Sequence, residues 1–187
     1  MQAIADLRGW SPLVALQIEH NLIERTGERD LIPMAREMGL GVVPYSPPAG
    51  GVLTGKYSRA DLTAPDAVAG DGTRRDFNLA NGGLTGRNLD IADVVKEVAG
   101  ELGHTPAQVG LAWSLHRPGV TASLIGARTL AQPKDNLGAP EVDFTPAQLA
   151  RLDEVGAIEL GFPHDMLASD RMRAATHGGL KVETRRR

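Results

Sequence analysis

Three short, largely apolar runs stand out along the chain, at 13–18, 40–45 and 120–125. Runs of this length with little polar alternation are typical of strands that are buried on both faces. Segments with helical spacing of apolar residues separate them, which indicates parallel strands joined by right-handed crossovers. The pattern therefore predicts an α/β protein with three parallel strands.

Capping residues mark the boundaries of the predicted helices. The sequence Thr-Pro-Ala-Gln occurs at 105–108 and again at 145–148, and a capping box with proline at the first helical position predicts a helix start at each. A further helix is predicted to begin at Asp90 and to end at Gly103. A shorter helix is expected after the third strand, with Thr129 as its cap.

Length and composition favour one domain. The chain has 187 residues, of which 42% are hydrophobic, so a single domain over 1–187 is expected. Residues 58–89 are rich in Gly, Asp, Asn and Arg and are too many for an ordinary connection, which predicts a long loop there. Residues 157–187 are predicted to form a C-terminal tail segment.

Charge and cysteine usage narrow the classes of partner. A net charge of −3 and a pI near 5.9 give no electrostatic reason to expect nucleic acid or an anionic membrane. The basic cluster at 185–187 is typical of a solvated chain end. The chain has no cysteine, no leader-like N-terminus and no apolar run approaching the roughly 18 residues of a membrane span. We therefore expect a cytoplasmic protein that binds neither nucleic acid nor a membrane.

The carboxyl ends of the predicted strands are the places to look for chemistry, because parallel α/β proteins bind ligands there. These ends cover 17–21, 45–56 and 126–136. Each is polar or glycine-rich directly after an apolar run, which a purely structural chain would not need. The sequence therefore predicts one site built from three strand ends.

Two stretches carry a resemblance to a known family. The sequence VALQIEHNLIERTGERDLIPMAREMGLGVVPYSP, followed by GGVLTGKY, resembles the sixth and seventh βα units of an aldo-keto reductase. The sequence LIGARTLAQPKDNLGA resembles that family's eighth-strand signature for NADP(H). The resemblance implies a partial (β/α)8 TIM barrel containing about strands 6 to 8. It also implies NADP(H) as cofactor and an aldehyde or ketone as the small-molecule carbonyl substrate.

The resemblance assigns the nicotinamide and pyrophosphate ends of the cofactor. Gln17 matches the glutamine that hydrogen-bonds the nicotinamide carboxamide, although a glutamine that only caps a strand end is the alternative. Tyr45 matches the aromatic residue that stacks on the nicotinamide ring, which suits a flat π-face. Five further residues match those around the phosphates: Ser46, Pro47, Ala49, Gly50 and Lys56. Arg74 lies where some relatives have a phosphate-contacting arginine.

The resemblance also assigns the adenosine end. Gly126 and Ala127 resemble a backbone turn over the adenosine phosphate, and Arg128 matches the side chain that pairs with the 2′-phosphate. A guanidinium suits a phosphate because it donates two parallel charge-assisted hydrogen bonds. Three residues match those around the adenine and ribose: Gln132, Asp135 and Asn136. The structural alternative is that Arg128 only pairs with Asp135 or Glu141.

The acid–base residues of the family have no counterpart in these 187 residues. Aldo-keto reductases use a tyrosine, a lysine, an aspartate and a histidine from the first four strands. The expectation is therefore a truncated oxidoreductase that retains cofactor residues and is inactive alone. The alternative is a non-catalytic module that binds NADP(H) or completes a barrel with a separate N-terminal half. Open sheet edges also predict self-association.

Overall fold

The computed structural model describes residues 1–63, 74–178 and 180 of the chain. The chain divides into two compact units, Met1–Ala157 and Ile158–Arg187. The second unit covers nearly the same residues as the tail segment predicted at 157–187. Its described helices are α9 (His164–Ala168) and α10 (Asp170–His177).

The described part of the first unit contains eight α-helices and two strands. The helices are α1 (Gln2–Arg8), α2 (Leu31–Glu37), α3 (Ala60–Thr63), α4 (Arg74–Ala80), α5 (Gly86–Leu102), α6 (Pro106–Leu115), α7 (Ala131–Asn136) and α8 (Pro146–Val155). The strands are β1 (Ala15–Glu19) and β2 (Gly41–Tyr45). The long loop predicted at 58–89 is therefore interrupted, because α3, α4 and the start of α5 lie within it.

Helix boundaries follow the capping chemistry closely. Thr105 and Thr145 each form a complete capping box at the start of α6 and α8, which confirms both predicted starts. Gly103 ends α5 in the left-handed conformation, with φ 69°, as predicted. The predicted start at Asp90 is wrong, because the Thr85 hydroxyl accepts a hydrogen bond from the Asn88 backbone N–H and α5 begins at Gly86.

The two strands pair in parallel, with Ala15 opposite Gly41 and Glu19 opposite Tyr45. Their positions confirm the runs predicted at 13–18 and 40–45 to within two residues. The prediction of a third strand at 120–125 is wrong.

That segment forms only two isolated parallel bridges to β2, Val120 with Val42 and Leu124 with Tyr45. The segment takes four steps between its two bridges while β2 takes three. One extra residue on one side breaks a continuous ladder, as in a β-bulge.

One face of the sheet is covered and the other is open. Val42 of β2 packs with Ile32 and Ala35 of α2, and Leu16 and Ile18 of β1 pack against the same cluster. Gln17 and Tyr45 lie on the opposite face and are exposed. The prediction of strands buried on both faces is therefore wrong for the described residues, because helices cover only one face.

The largest hydrophobic core lies between the helices. Its fully buried members include Trp113 of α6, Ile91 and Val95 of α5, and Leu152 of α8. The loop after β2 contributes Leu53 to the same core, which fixes one end of that loop. None of the helices in the described ranges is both long and apolar enough to cross a bilayer.

Candidate functional site

The loop that follows β2 has an unusual backbone. Ser46 and Ala49 have φ of 56° and 49°, and Gly50 and Gly51 have φ of 64° and 89°. Left-handed conformations cost side-chain-bearing residues roughly 1–2 kcal/mol each, so surrounding contacts must hold Ser46 and Ala49 in place. Pro47 is buried beneath them. The loop is therefore a fixed structural element rather than a free connection.

Asn21 holds the start of this loop. Its side chain is fully buried, and its Nδ2 donates to the Ser46 carbonyl oxygen at 3.1 Å. Its Oδ1 accepts hydrogen bonds from the backbone N–H groups of Ile23 and Glu24, both at 2.9 Å. Because Asn21 comes two residues after β1, it ties the end of β1 to the end of β2.

Asn78 of α4 holds the middle of the loop. Its Nδ2 donates to the Gly50 carbonyl oxygen at 3.1 Å and lies 3.4 Å from the Tyr57 hydroxyl. Asn78 is only 4% exposed. Two buried asparagines from different elements therefore fix the backbone carbonyls of Ser46 and Gly50.

Lys56 brings a positive charge to the same loop. Its ammonium nitrogen lies 2.7 Å from the position that a Cβ on Gly51 would occupy and 4.8 Å from the centre of the Tyr57 ring. Lys56 is exposed, and in the part of the chain that the structure describes no carboxylate pairs with it. The loop thus presents an unpaired cation beside closely spaced glycines.

The open face of the sheet brings together Gln17 and Tyr45. Gln17 is opposite Val43, and Tyr45 is opposite Glu19, so all four residues point to one side of the two strands. Gln17 lies in the middle of β1 rather than at its end, since β1 continues to Glu19. Tyr45 is 43% exposed. An amide and an aromatic ring therefore share one accessible surface beside the loop.

The segment after the second bridge carries the other predicted residues. Leu124 bridges to Tyr45, so the turn at 126–128 begins beside the open face. Gly126, Ala127 and Arg128 are all exposed. Gln132 accepts a hydrogen bond from the Arg128 backbone N–H through its Oε1 at 2.7 Å. Gln132 therefore stabilises the turn through the Arg128 backbone.

The two remaining residues of this group belong to α7. The Asp135 carboxylate accepts from the Thr105 hydroxyl at 2.9 Å, and the Asp135 carbonyl accepts from Gln108 Nε2 at 2.8 Å. Asp135 thus holds α7 against the start of α6, and no ion pair joins it or Glu141 to Arg128 among the described residues. Asn136 is half-buried at the end of α7.

Arg74 lies apart from the loop. It is the first residue of α4 and its guanidinium lies 5.1 Å from the centre of the Phe77 ring. In the described ranges no hydrogen bond connects Arg74 with the residues of the loop after β2. The structure therefore brings Asn78, and not Arg74, from α4 to the loop.

A buried polar cluster lies behind Asn21. His20 is fully buried, packs on Trp113 with ring centres 5.4 Å apart, and pairs with Glu28 through Nε2 at 2.9 Å. Burial works to raise the pKa of Glu28, but hydrogen bonds from His20 and Arg25 outweigh it and lower the pKa to about 2. Glu28 is therefore a carboxylate at neutral pH.

Comparisons with known proteins identify the family. A sequence profile of the Aldo/keto reductase family matches residues 1–157, which include both strands, the loop after β2 and α7. The chain belongs to the aldo/keto reductase family. This confirms the resemblance, and members of the family are oxidoreductases that generally use nicotinamide cofactors.

Several individual aldo/keto reductase relatives support the assignment. An uncharacterized oxidoreductase, YrpG of Bacillus subtilis, is 36% identical over 154 residues, which cover 82% of this chain and 44% of the relative. Versiconal hemiacetal acetate reductase of Aspergillus parasiticus is 30% identical over 82% of this chain and 43% of its own. A probable voltage-gated potassium channel subunit beta of Arabidopsis thaliana is 33% identical over 74% of this chain and 42% of its own. The chain thus spans less than half the length of these relatives.

Sequence reasoning missed the two asparagines that hold the loop. Asn21 was within a predicted strand end, but a polar residue there does not indicate which carbonyl it contacts. Asn78 was inside the predicted long loop, where no periodic pattern singles it out. A signal was present in the pair Gly50 and Gly51, since adjacent glycines indicate close approach of neighbouring groups.

Proposed function

We propose that this aldo/keto reductase chain binds NADP(H) and forms the cofactor-binding half of a (β/α)8 barrel. In this proposal β1, β2 and the bridging segment 120–125 are strands six to eight. The observation that carries it is Lys56, which pairs with no carboxylate of the described residues and lies beside Gly51 in a loop held in left-handed conformations. We also propose a cytoplasmic location, in keeping with a chain without cysteine.

The donor set fits the pyrophosphate and nicotinamide of a dinucleotide. The absence of a Cβ at Gly50 and Gly51 lets the Asn78 amide and the Lys56 ammonium lie close against the loop backbone. Lys56 would pair with the phosphates. Gln17 and Tyr45 share the open sheet face, where they would hold the carboxamide and the ring of the nicotinamide.

Arg128 supports NADP(H) over NAD(H). It is exposed, and no ion pair occupies its guanidinium in the described part of the chain. A guanidinium offers a bidentate partner to a dianionic 2′-phosphate, which NAD(H) lacks. Gly126, Ala127, Gln132, Asp135 and Asn136 would line the adenosine end, with Gln132 and Asp135 acting mainly through the backbone turn and the α6 contact they maintain.

The bound cofactor would supply the hydride for reduction of an aldehyde or ketone. The carbonyl carbon then takes the hydride and the carbonyl oxygen takes a proton. Tyr45 would be committed to stacking, and the Tyr57 hydroxyl contacts Asn78 rather than a base, so neither suits the role of proton donor. We propose that the acid–base residues come from strands outside these 187 residues.

Cofactor titration and a turnover assay test this function together. Adding NADPH to the chain and following the cofactor's own fluorescence is expected to give saturable binding. Reduction of nitrobenzaldehyde by the chain alone is expected to be undetectable, because a general acid typically contributes about 10² to 10⁴ in rate. Absence of binding would contradict the cofactor assignment, and turnover that Tyr57→Phe abolishes would contradict the assignment of the proton donor.

The second candidate is a module that binds NADP(H) without turnover and pairs with another chain. The observation that favours it is the open sheet face around Gln17 and Tyr45, together with the exposed Val14 at the start of β1. Such a surface favours self-association or pairing with an N-terminal half. Size-exclusion chromatography separates the cases: a sharp monomer peak at micromolar concentration contradicts self-association, and co-elution with an N-terminal half supports pairing.

A further inference from the structure

The Asn78 side chain contacts the loop after β2 at two points, near its start and near its end. Through one amide group it contacts the Gly50 carbonyl, at 3.1 Å, and the Tyr57 hydroxyl, at 3.4 Å. Its own backbone carbonyl accepts from Gly83 and Leu84 at 2.7 and 3.0 Å. Asn78 is therefore fixed from behind by the turn after α4 while its side chain reaches forward into the loop.

The two glycines of the loop are each required by a different side chain. A Cβ on Gly50 would collide with the Oδ1 of Asn78, and a Cβ on Gly51 would lie 2.7 Å from the ammonium of Lys56. Asn78 and Lys56 thus occupy neighbouring positions along one backbone. Neither contact would exist if the loop were shifted by one residue.

Tyr57 links the two side chains. Its hydroxyl contacts Asn78, and its ring lies beneath the Lys56 ammonium at 4.8 Å. Cation–π attraction contributes about 0.5–1 kcal/mol at exposed sites, which favours one position of a flexible lysine by roughly twofold to fivefold. Holding the Tyr57 hydroxyl therefore biases where the charge of Lys56 lies relative to Gly51.

We propose that Asn78 is a positioning residue that sets the place of Lys56 over the Gly50–Gly51 backbone for the cofactor's pyrophosphate. Asn78 acts through Lys56 and the loop, without touching the cofactor itself. The inference rests on the proposed function. It differs from the Arg128 assignment because the pyrophosphate is common to NADPH and NADH, whereas only NADPH carries a 2′-phosphate.

The test compares Asn78→Ala with Asn81→Ala in the full 187-residue chain. Asn81 follows Asn78 by three residues, is exposed, and donates only to the Phe77 carbonyl, at 3.0 Å. Losing one hydrogen bond typically changes an equilibrium by about twofold to tenfold. We expect Asn78→Ala to weaken NADPH and NADH by that same factor, with their ratio unchanged, and Asn81→Ala to change neither by as much as twofold.

A double-mutant cycle separates positioning from general destabilisation. If Asn78 acts through Lys56, then Asn78→Ala is expected to change NADPH affinity by less than about twofold when Lys56 is already glutamine. The full loss in that background, or equal losses for the two alanine variants, would overturn the inference while leaving the proposed function intact. If the wild-type chain binds no dinucleotide, the proposed function fails and the inference with it.

A shape-conserving pair keeps the test decisive if Asn78→Ala does not fold. Asn78→Leu removes both N–H donors of Nδ2 and keeps the approximate size of the side chain without adding a charge, and Asn81→Leu makes the identical chemical change on the exposed position. The same criteria then apply: a loss confined to Asn78→Leu that disappears with Lys56→Gln supports the inference. Equal behaviour of the two leucine variants overturns it.

Discussion

The two ends of the candidate cofactor site are built differently, although both lie within the residues that match the family. The loop after β2 is anchored by Asn21 and Asn78, and its residues from 46 to 50 are buried or half-buried. The segment 124–130 is exposed throughout and is bridged to β2 at one residue, Leu124 with Tyr45. A motif therefore indicates which residues meet a ligand but not how firmly the protein holds them beforehand.

This difference has an energetic consequence for binding. Ordering side chains on association costs about 0.5–1.5 kcal/mol for each rotamer-rich side chain that is immobilised. The loop after β2 meets much of that cost through its packing in the folded chain, apart from the exposed Lys56 side chain. Arg128, with a long exposed side chain, is expected to meet it when the ligand binds. We therefore expect changes in the loop to affect folding and binding, and changes around Arg128 to affect binding alone.

The largest expected effect comes from adding one methyl group to the loop after β2, and the same change at the other end serves as its control. Gly50→Ala puts a Cβ against the Asn78 side chain at a φ of 64°, and the left-handed conformation alone costs about 1–2 kcal/mol. We expect the unfolding free energy to fall by at least that amount, together with a loss of NADPH binding. Urea denaturation and cofactor titration measure the two effects.

Gly126→Ala is the matched control at the other end. A Cβ on Gly126 has nothing within 4 Å, and its φ lies outside the left-handed range. The unfolding free energy is expected to change by less than about 0.5 kcal/mol, as for ordinary surface substitutions. Equal destabilisation by the two alanines would show that the two ends are held alike and would remove the basis of the comparison.

The next effect concerns the choice of cofactor. Arg128→Ala is expected to remove a preference for NADPH over NADH of about tenfold to a hundredfold, because charge-assisted hydrogen bonds contribute roughly 1.5–3 kcal/mol. Since Arg128 is exposed, the unfolding free energy should not change. Parallel titrations with both cofactors decide the matter: equal affinities in the wild type, or an unaltered ratio in the variant, would mean that Arg128 does not read the 2′-phosphate.

Local patterns predicted much of the fold. Capping boxes at Thr105 and Thr145 and the left-handed Gly103 depend on neighbours within a few residues, so the sequence is sufficient to find them. The prediction of a strand at 120–125 was wrong because it depends on contacts between segments that are distant in sequence. Whether it forms a continuous ladder depends on its register with β2, and an extra residue between two bridges is a property of the pair rather than of either segment.

The candidate site likewise contains residues that the sequence motif predicted and residues whose contacts depend on packing between distant segments. Gln17, Tyr45 and Lys56 were predicted from a family motif, and the structure adds that Gln17 and Tyr45 share a face while Lys56 lies by Gly51. Asn78 could not be found, since it is distant from Gly50 in sequence and its burial results from α4 packing. Asp135 was assigned to the cofactor from the motif, whereas its carboxylate contacts Thr105.

The smallest effect tests whether the support behind the loop depends on pH. Glu28 pairs with His20, the neighbour of Asn21, and with Arg25, which in turn approaches Asp153. Burial would raise the pKa of Glu28, but the hydrogen bonds from His20 and Arg25 lower it from 4.5 to about 2 in the folded chain. In the unfolded chain Glu28 titrates near its ordinary value, so below that value the unfolded state binds more protons than the folded state.

The stability that Glu28 contributes is therefore fully present above about pH 4.5 and is lost as the pH falls toward 2. A pKa lowered from 4.5 to about 2 corresponds to roughly 3 kcal/mol, and solvent screening reduces this because the Glu28 side chain is partly exposed. Glu28→Gln removes the titrating group, so we expect a loss of about 1–2 kcal/mol at pH 7 and a shallower decline in acid. Glu154→Gln, on the exposed surface of α8, makes the same change in charge and should leave the acid limb as in the wild type. Urea midpoints at pH 7, 4 and 3 measure both variants.

Asn21 connects this cluster to Ser46, and no buried side chain is hydrogen-bonded to the backbone of 126–128 among the described residues. On acidification, the protection of backbone amides from exchange, relative to their intrinsic rates, should therefore fall at 46, 49 and 50 before it changes at 126–128. Identical acid limbs for Glu28→Gln and wild type would show that Glu28 contributes no pH-dependent support to the loop.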